Sequence, residues 1–130
     1  MKKIALTLLF LPLIIVSSYA QEEDKMPEFN LKQYYFVMLT KGASSGKLDS
    51  VAASRIIIGH LQNIKKMQED GKLVIVGPFG DNGNWRGIFI FDVPKQEDVE
   101  ELLKNDPAIQ AGMFKYEVHP WWSEKGQSLK

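Results

Sequence analysis

Apolar residues along this chain fall into two kinds of pattern. Four stretches are rich in aromatic and branched residues at strand length, and two repeat at the 3.6-residue period of a helix. Lys32–Lys41 reads as the first strand, apolar on both of its faces, Tyr34/Phe36/Met38 and Tyr35/Val37/Leu39. The small polar residues of Gly42–Ser50 read as a loop. Val51–Asp70 then has helical periodicity, with Ala53, Ile57, His60, Leu61, Ile64 and Gln68 on one face. Asp49 or Ser50 can cap its start, and Gly71 sits where a helix end favours a left-handed residue. Leu73–Val76 is a short apolar strand. Gly77–Asn84 is dense in turn formers and joins it to the strand Trp85–Phe91. Pro94 opens a second helix with Glu97 and Asp98 in its first turn and Val99, Leu102 and Leu103 as its buried stripe. Pro107 stops it, because the residue before a proline is driven out of helical geometry. Phe114–Val118 is the last strand, and Ser123–Lys130 is a polar tail.

The order strand, helix, strand, strand, helix, strand predicts an α+β, ferredoxin-like βαββαβ fold. Two helices would cover one face of a four-stranded antiparallel sheet. The other face is apolar too, since the first two strands are apolar on both faces and the third offers Phe89/Phe91 on one face and Ile88/Ile90 on the other. Water is a poor neighbour for so much hydrocarbon. A homodimer pairing two sheets face to face would cover it. The competing cover is the chain's own end, with Trp121 and Trp122 folded over the sheet.

The ends change the picture of location. Lys2 and Lys3 precede a run from Ile4 to Val16 that is apolar except for Thr7 and Pro12, and Ser18-Tyr19-Ala20 supplies small residues for cleavage before Gln21. Residues 1–20 therefore read as a secretory signal peptide and the protein as exported, periplasmic or secreted. The run is short for a bilayer span, which takes ~20 apolar residues. Residues 21–31 read as a tether, 32–122 as one domain and 123–130 as the tail.

The whole chain has 16 basic and 16 acidic residues, and loss of Lys2 and Lys3 with the leader leaves 14 against 16. With no basic block, neither nucleic acid nor, after cleavage, a membrane is an expected partner. The absence of cysteine removes disulfides and thiolate metal sites.

Candidate chemistry centres on His60, whose imidazole is suited to proton transfer near neutral pH. On an apolar helix face it is either a core histidine bonded to a backbone carbonyl or hydroxyl, or a general acid/base in a cleft. Asp106 is the candidate carboxylate to orient it. An aspartate before proline can equally cap a local turn. Tyr34 and Arg86, with Gly77 and Pro78 at the base of the hairpin, are the candidate ligand-contacting residues. The glycine-rich hairpin lacks the Lys-Ser/Thr of a phosphate loop and precedes a strand. His60, His119 and Asp106 could form a two-histidine, one-carboxylate metal set, but no spacing requires it. No metal and no cofactor is expected.

Three segments together resemble a known family. They are Gly59-His60-Leu61, then Gly71-Lys72-Leu73-Val74-Ile75-Val76-Gly77-Pro78, then Asp106-Pro107-Ala108-Ile109-Gln110-Ala111-Gly112-Met113-Phe114. With the closing Val118-His119-Pro120-Trp121, this order is similar to the YciI-like (YCII-related) domain family over nearly all of Tyr34–Trp122. The resemblance implies a dimeric α/β-barrel and an active site containing a histidine and an aspartate, which map onto His60 and Asp106. Activity in the family is mostly unassigned, so the resemblance supports a small-molecule enzyme and goes no further; the reaction expected of a His/Asp pair is proton abstraction or elimination, of lyase or isomerase type. One similar protein takes part in dechlorinating an aromatic ring compound, and relatives with the same barrel isomerise lactones or act as oxygenases. Two positions depart from the pattern. Ile57 stands where members often carry a basic residue, and Ala108 where many have an aromatic.

The leading expectation is an exported YciI-like enzyme using a His60/Asp106 acid–base pair on a small cyclic or aromatic compound. The alternative, motivated by Ile57 and Ala108, is a non-catalytic dimeric domain that binds a small ligand. Haem binding through His60 rests on the barrel analogy alone.

Overall fold

A computed structural model describes residues 25–130 of the chain. The expected signal peptide and the start of the tether lie outside the described residues. The elements are β1 (Leu31–Lys41), α1 (Ser50–Glu69), β2 (Leu73–Pro78), β3 (Trp85–Phe91), α2 (Gln96–Lys104), α3 (Pro107–Gln110) and β4 (Phe114–Glu124). The strands form one sheet in the order β2-β3-β1-β4, with every neighbouring pair antiparallel. This is the ferredoxin-like α+β fold. Among the described residues, no helix is long and apolar enough to cross a membrane.

Period-two alternation places Tyr35, Val37 and Leu39 of β1 on the helix-covered face, beside Phe89 and Phe91 of β3. Met67 of α1, Leu73, and Val99 and Leu103 of α2 close the core over them. The opposite, outer face carries Tyr34, Phe36 and Met38 of β1 with Ile88 and Ile90 of β3. Part of it is covered by this chain's own end: residues 126–129 line a cavity whose other walls include Tyr34, Ile90 and Trp121.

The stripe that α1 buries differs from the expected one. Leu61 is 57% exposed and Gln68 is exposed, whereas Met67 is buried. The packed row runs through Ile57, His60, Ile64 and Met67, at successive helical offsets of three and four. Leu61 stands one residue, or about 100°, off that row. Asp49 caps the helix, its Oδ1 accepting from the Val51 and Ala52 N–H groups at 3.1 and 3.0 Å. Gly71 ends it at φ 72°.

Several boundaries also moved: β2 runs on to Pro78, and α2 starts at Gln96, so Pro94 precedes the helix rather than opening it. β4 continues past Val118 to Glu124, pairing along the whole of β1 from Lys41↔Phe114 to Leu31↔Glu124. Ser123 is therefore buried strand rather than the first residue of a tail. Pro120 does not interrupt β4 because the strand lies at the sheet edge, where a missing N–H can face away from the ladder. Pro107 also does more than end a helix. α2 stops at Lys104, and Pro107 opens α3, where its fixed φ fits the first helical position.

Candidate active site

The site begins with the N-terminus of α3. Asp106 is extended at φ −77°, ψ 126° and caps the helix, its Oδ1 accepting from the Ala108 N–H at 2.9 Å and the Ile109 N–H at 3.3 Å. Oδ2 faces α1, where it accepts from Asn63 Nδ2 at 2.9 Å and from His60 Nδ1 at 2.8 Å. Nδ1 is also 2.9 Å from Oδ1. Turn-capping and histidine-orienting were competing roles for Asp106; the carboxylate performs both, one oxygen directed mainly to each.

Helix α1 can come close enough to α3 because Gly59 stands at the crossing. A Cβ there would lie 3.1 Å from Pro107 Cγ. Glycine in a helix interior costs about 1 kcal/mol relative to alanine. The fold accepts that cost where it lets His60, the next residue, reach Asp106. The far end of α3 is fixed by Gly112 at φ 71°, whose carbonyl accepts from the Ser44 N–H at 2.9 Å. Gly42 lies so close to that carbonyl that a Cβ would overlap it. The loop after β1 is thereby pinned to the turn before β4.

Asp106 has no exposed surface and His60 is 7% exposed. Burial is the largest influence on the Asp106 carboxyl and works against ionisation. The hydrogen bonds from His60 and Asn63, the positive charge available on His60 and the Ala108 N–H together outweigh it, leaving its pKa below the usual aspartate value. An ionised carboxylate only accepts, so the Nδ1–H of a neutral His60 donates to it and Nε2 carries the lone pair. Among the described residues, Nε2 has no protein partner and no buried side-chain nitrogen or oxygen is left unsatisfied. Nε2 therefore retains contact with solvent. The ring is held between Phe89, near-parallel at 6.1 Å, and Phe114, edge-on at 5.3 Å.

A profile of the YCII-related domain matches residues 35–122, and this span contains His60, Asn63 and Asp106. The chain belongs to the YCII-related domain family. This YCII-related domain is 24% identical over 92 residues to the uncharacterized protein YjpA of Bacillus subtilis (strain 168), covering 71% of this chain and 99% of that protein. A solved structure similar to it is 5-chloro-2-hydroxyhydroquinone dehydrochlorinase (TftG) from Burkholderia phenoliruptrix AC1100, in complex with 2,5-dihydroxybenzoquinone. The TM-score is 0.49 at 21% identity, covering 67% of this chain and 92% of that chain.

The remaining candidate residues do not gather around His60. Tyr34 lies on the outer face of the sheet, where it lines the cavity bounded by the C-terminal segment. Arg86, Gly77 and Pro78 are not part of that lining. Arg86 Nη1 lies 3.5 Å from the Gly83 carbonyl, and Gly77 and Pro78 end β2 beside Gly87. His119 pairs in register with Phe36 on the outer face and lies 3.6 Å from Glu117, so the His60–His119–Asp106 metal set is not assembled. Asn63 is the site residue that the sequence reading missed. Its signal was present: at three residues after His60, it had to share that residue's helix face.

Proposed function

We propose that this YCII-related domain is a small-molecule enzyme in which His60 is the general base and Asp106 its positioning partner. One observation carries the reading: Asp106 engages Nδ1 from a fully buried position, leaving Nε2 as the ring nitrogen free to accept a proton. That arrangement fixes the tautomer and turns a basic lone pair outward. The half-buried Phe114 ring, edge-on to the imidazole, suits a small cyclic or aromatic substrate. Nε2 would take a proton from carbon next to a carbonyl, and the released electron pair would form an enolate. Return of the proton elsewhere completes an isomerisation, whereas departure of a leaving group completes an elimination. Asn63 holds the second carboxylate oxygen and keeps Asp106 from rotating off the ring.

Deuterium wash-in tests the reading without knowledge of the natural substrate. Cyclic ketones and hydroxyquinones incubated with the protein in D2O should exchange acidic C–H positions, and His60→Ala should abolish the effect. Exchange that is equal with wild type and His60→Ala, across the panel, would reject His60 as a base.

A second reading has its own support. The cavity of about 610 Å³ on the outer face is lined by neither His60 nor Asp106, which favours a ligand-binding domain without catalysis. We also propose that the chain is exported after cleavage before Gln21 and acts as a homodimer. The apolar Phe36, Met38 and Ile88 on the outer face support the dimer, and the N-terminal pattern supports export. Mass spectrometry of the protein from its native cells tests export through an N-terminus at Gln21.

A further inference from the structure

The outer face of the sheet holds a second place that a ligand could occupy, independent of the His60–Asp106 pair on the other side. After Glu124 the chain turns back through Lys125 and Gly126, and residues 126–129 then form a wall facing the sheet. Four bonds secure that turn: Lys125 N–H to the Asn30 carbonyl at 2.8 Å, Ser123 Oγ to Gln127 Oε1 at 3.1 Å, Gln127 N–H to the Glu124 carbonyl at 3.4 Å and Gln127 Nε2 to Glu124 Oε2 at 3.5 Å. Between tail and sheet lies the cavity of about 610 Å³. Small-molecule sites typically enclose ~300–1,000 Å³.

Its walls specify a chemistry. Ile75 and Ile90 give an aliphatic floor, and Tyr34 and Trp121 set two aromatic rings 6.3 Å apart, tilted by 50°. Among the described residues, Asp92 and Glu124 are its charged lining residues, and no lysine, arginine or histidine lines it. Lys32 lies 2.7 Å from Asp92 and 5.3 Å from the Tyr34 ring centroid, so it neutralises Asp92 and already occupies the Tyr34 face, leaving the Trp121 ring and Glu124 to receive a cation. A face of aromatic rings beside a carboxylate attracts an organic cation and repels an anion. Phe36, Met38 and Ile88, on the same face, are not part of the lining.

We propose that the cavity between the sheet and the C-terminal segment is a binding site for a small aromatic amine. Three probes of nearly equal shape test the charge preference: 1-naphthylmethylamine, 1-naphthylmethanol and 1-naphthylacetate. Each is titrated into the purified, isotope-labelled protein and followed by NMR. The amine should give saturable shifts centred on Ile75, Ile90, the Trp121 indole and Gln127–Leu129. It should bind about threefold more tightly than the alcohol, with the acetate weakest. Trp121→Ala, and separately a chain ending at Lys125, should each weaken the amine at least several-fold while the remaining amide spectrum stays folded. Four results would overturn the proposal: no saturable shift at millimolar amine, an acetate that binds as well as the amine, shifts centred on His60, or affinity unchanged in both variants. Shifts of the same residues with protein concentration alone would assign this end of the face to a second copy, and would overturn it as well.

Discussion

Replacing Asp106 by Asn should separate the two roles of that side chain. The substitution keeps the shape and one carbonyl oxygen, so the cap to the Ala108 and Ile109 N–H groups can persist. It replaces the other oxygen with an NH2 group directed at Asn63 Nδ2 and His60 Nδ1, both donors to the native carboxylate. Asn63 can turn its amide; His60 can respond only by giving up the Nδ1 proton and protonating Nε2. Loss of a charge-assisted hydrogen bond in a buried position costs about 1.5–3 kcal/mol. Relief from burying an ionised carboxylate offsets part of this, so a net loss of about 2 kcal/mol is expected. For a domain of this size that is roughly 8–16 °C in Tm. The same change at Asp92, whose pair with Lys32 is part-exposed, should cost at most about 1 kcal/mol.

The effect also has a pH signature. The folded-state pKa of Asp106 lies below its unfolded value, so on acidification the unfolded chain takes up the proton first. The stabilisation is complete above the unfolded value, about 3.9, and is lost as pH falls through the lower folded value. Thermal melts of wild type and Asp106→Asn from pH 7 down to pH ~2.5 should therefore converge in acid as this contribution disappears. A Tm difference under ~2 °C at pH 7, or one that widens in acid, would refute the reasoning.

Other substitutions test the supports of the site. Asn63→Leu removes one donor and inserts hydrocarbon beside Asp106, and should lower Tm while slowing any deuterium exchange; Asn63→Gln should recover less than half of the lost rate. Gly42→Ala places a Cβ into the Gly112 carbonyl and should cost about 3 kcal/mol in urea unfolding, where overpacking typically costs 1–3. Gly59→Val should push α3 away from α1 and remove the His60–Asp106 bond, read from the His60 ring signals by NMR. Met38→Arg, on the outer face away from the tail cavity, should convert a homodimer to monomers in analytical ultracentrifugation; a wild-type protein that sediments as a monomer at micromolar concentration refutes the dimer.

Much of the architecture was legible because it rests on local pattern. The two-faced apolar β1, the Asp49 cap and the Gly71 stop each follow from the chemistry of a few neighbouring residues. The end of β4 was not legible, since Pro120-Trp121-Trp122 is strand only because β1 is long enough to pair with it and leaves it at an edge. The Leu61 error came from counting a residue one position off a row defined by Met67. For the site, His60 and Asp106 could be paired through family resemblance, and their distance came from the close crossing at Gly59. Asn63 was hidden by its ordinary look among the polar residues of α1. The C-terminal cavity could not be read at all, because it depends on a tail turning back over the sheet through its contact with Asn30.

The nitrogen of His60 that carries the proton when the ring is neutral decides whether His60 is an outward-facing base. Long-range 1H–15N correlation spectra of the histidine side chains measure this. The predicted result is a proton on Nδ1 and a bare Nε2 in wild type, with the proton moved to Nε2 in Asp106→Asn. A wild-type His60 protonated at Nε2, unchanged by that substitution, would contradict a buried carboxylate setting an outward-facing base.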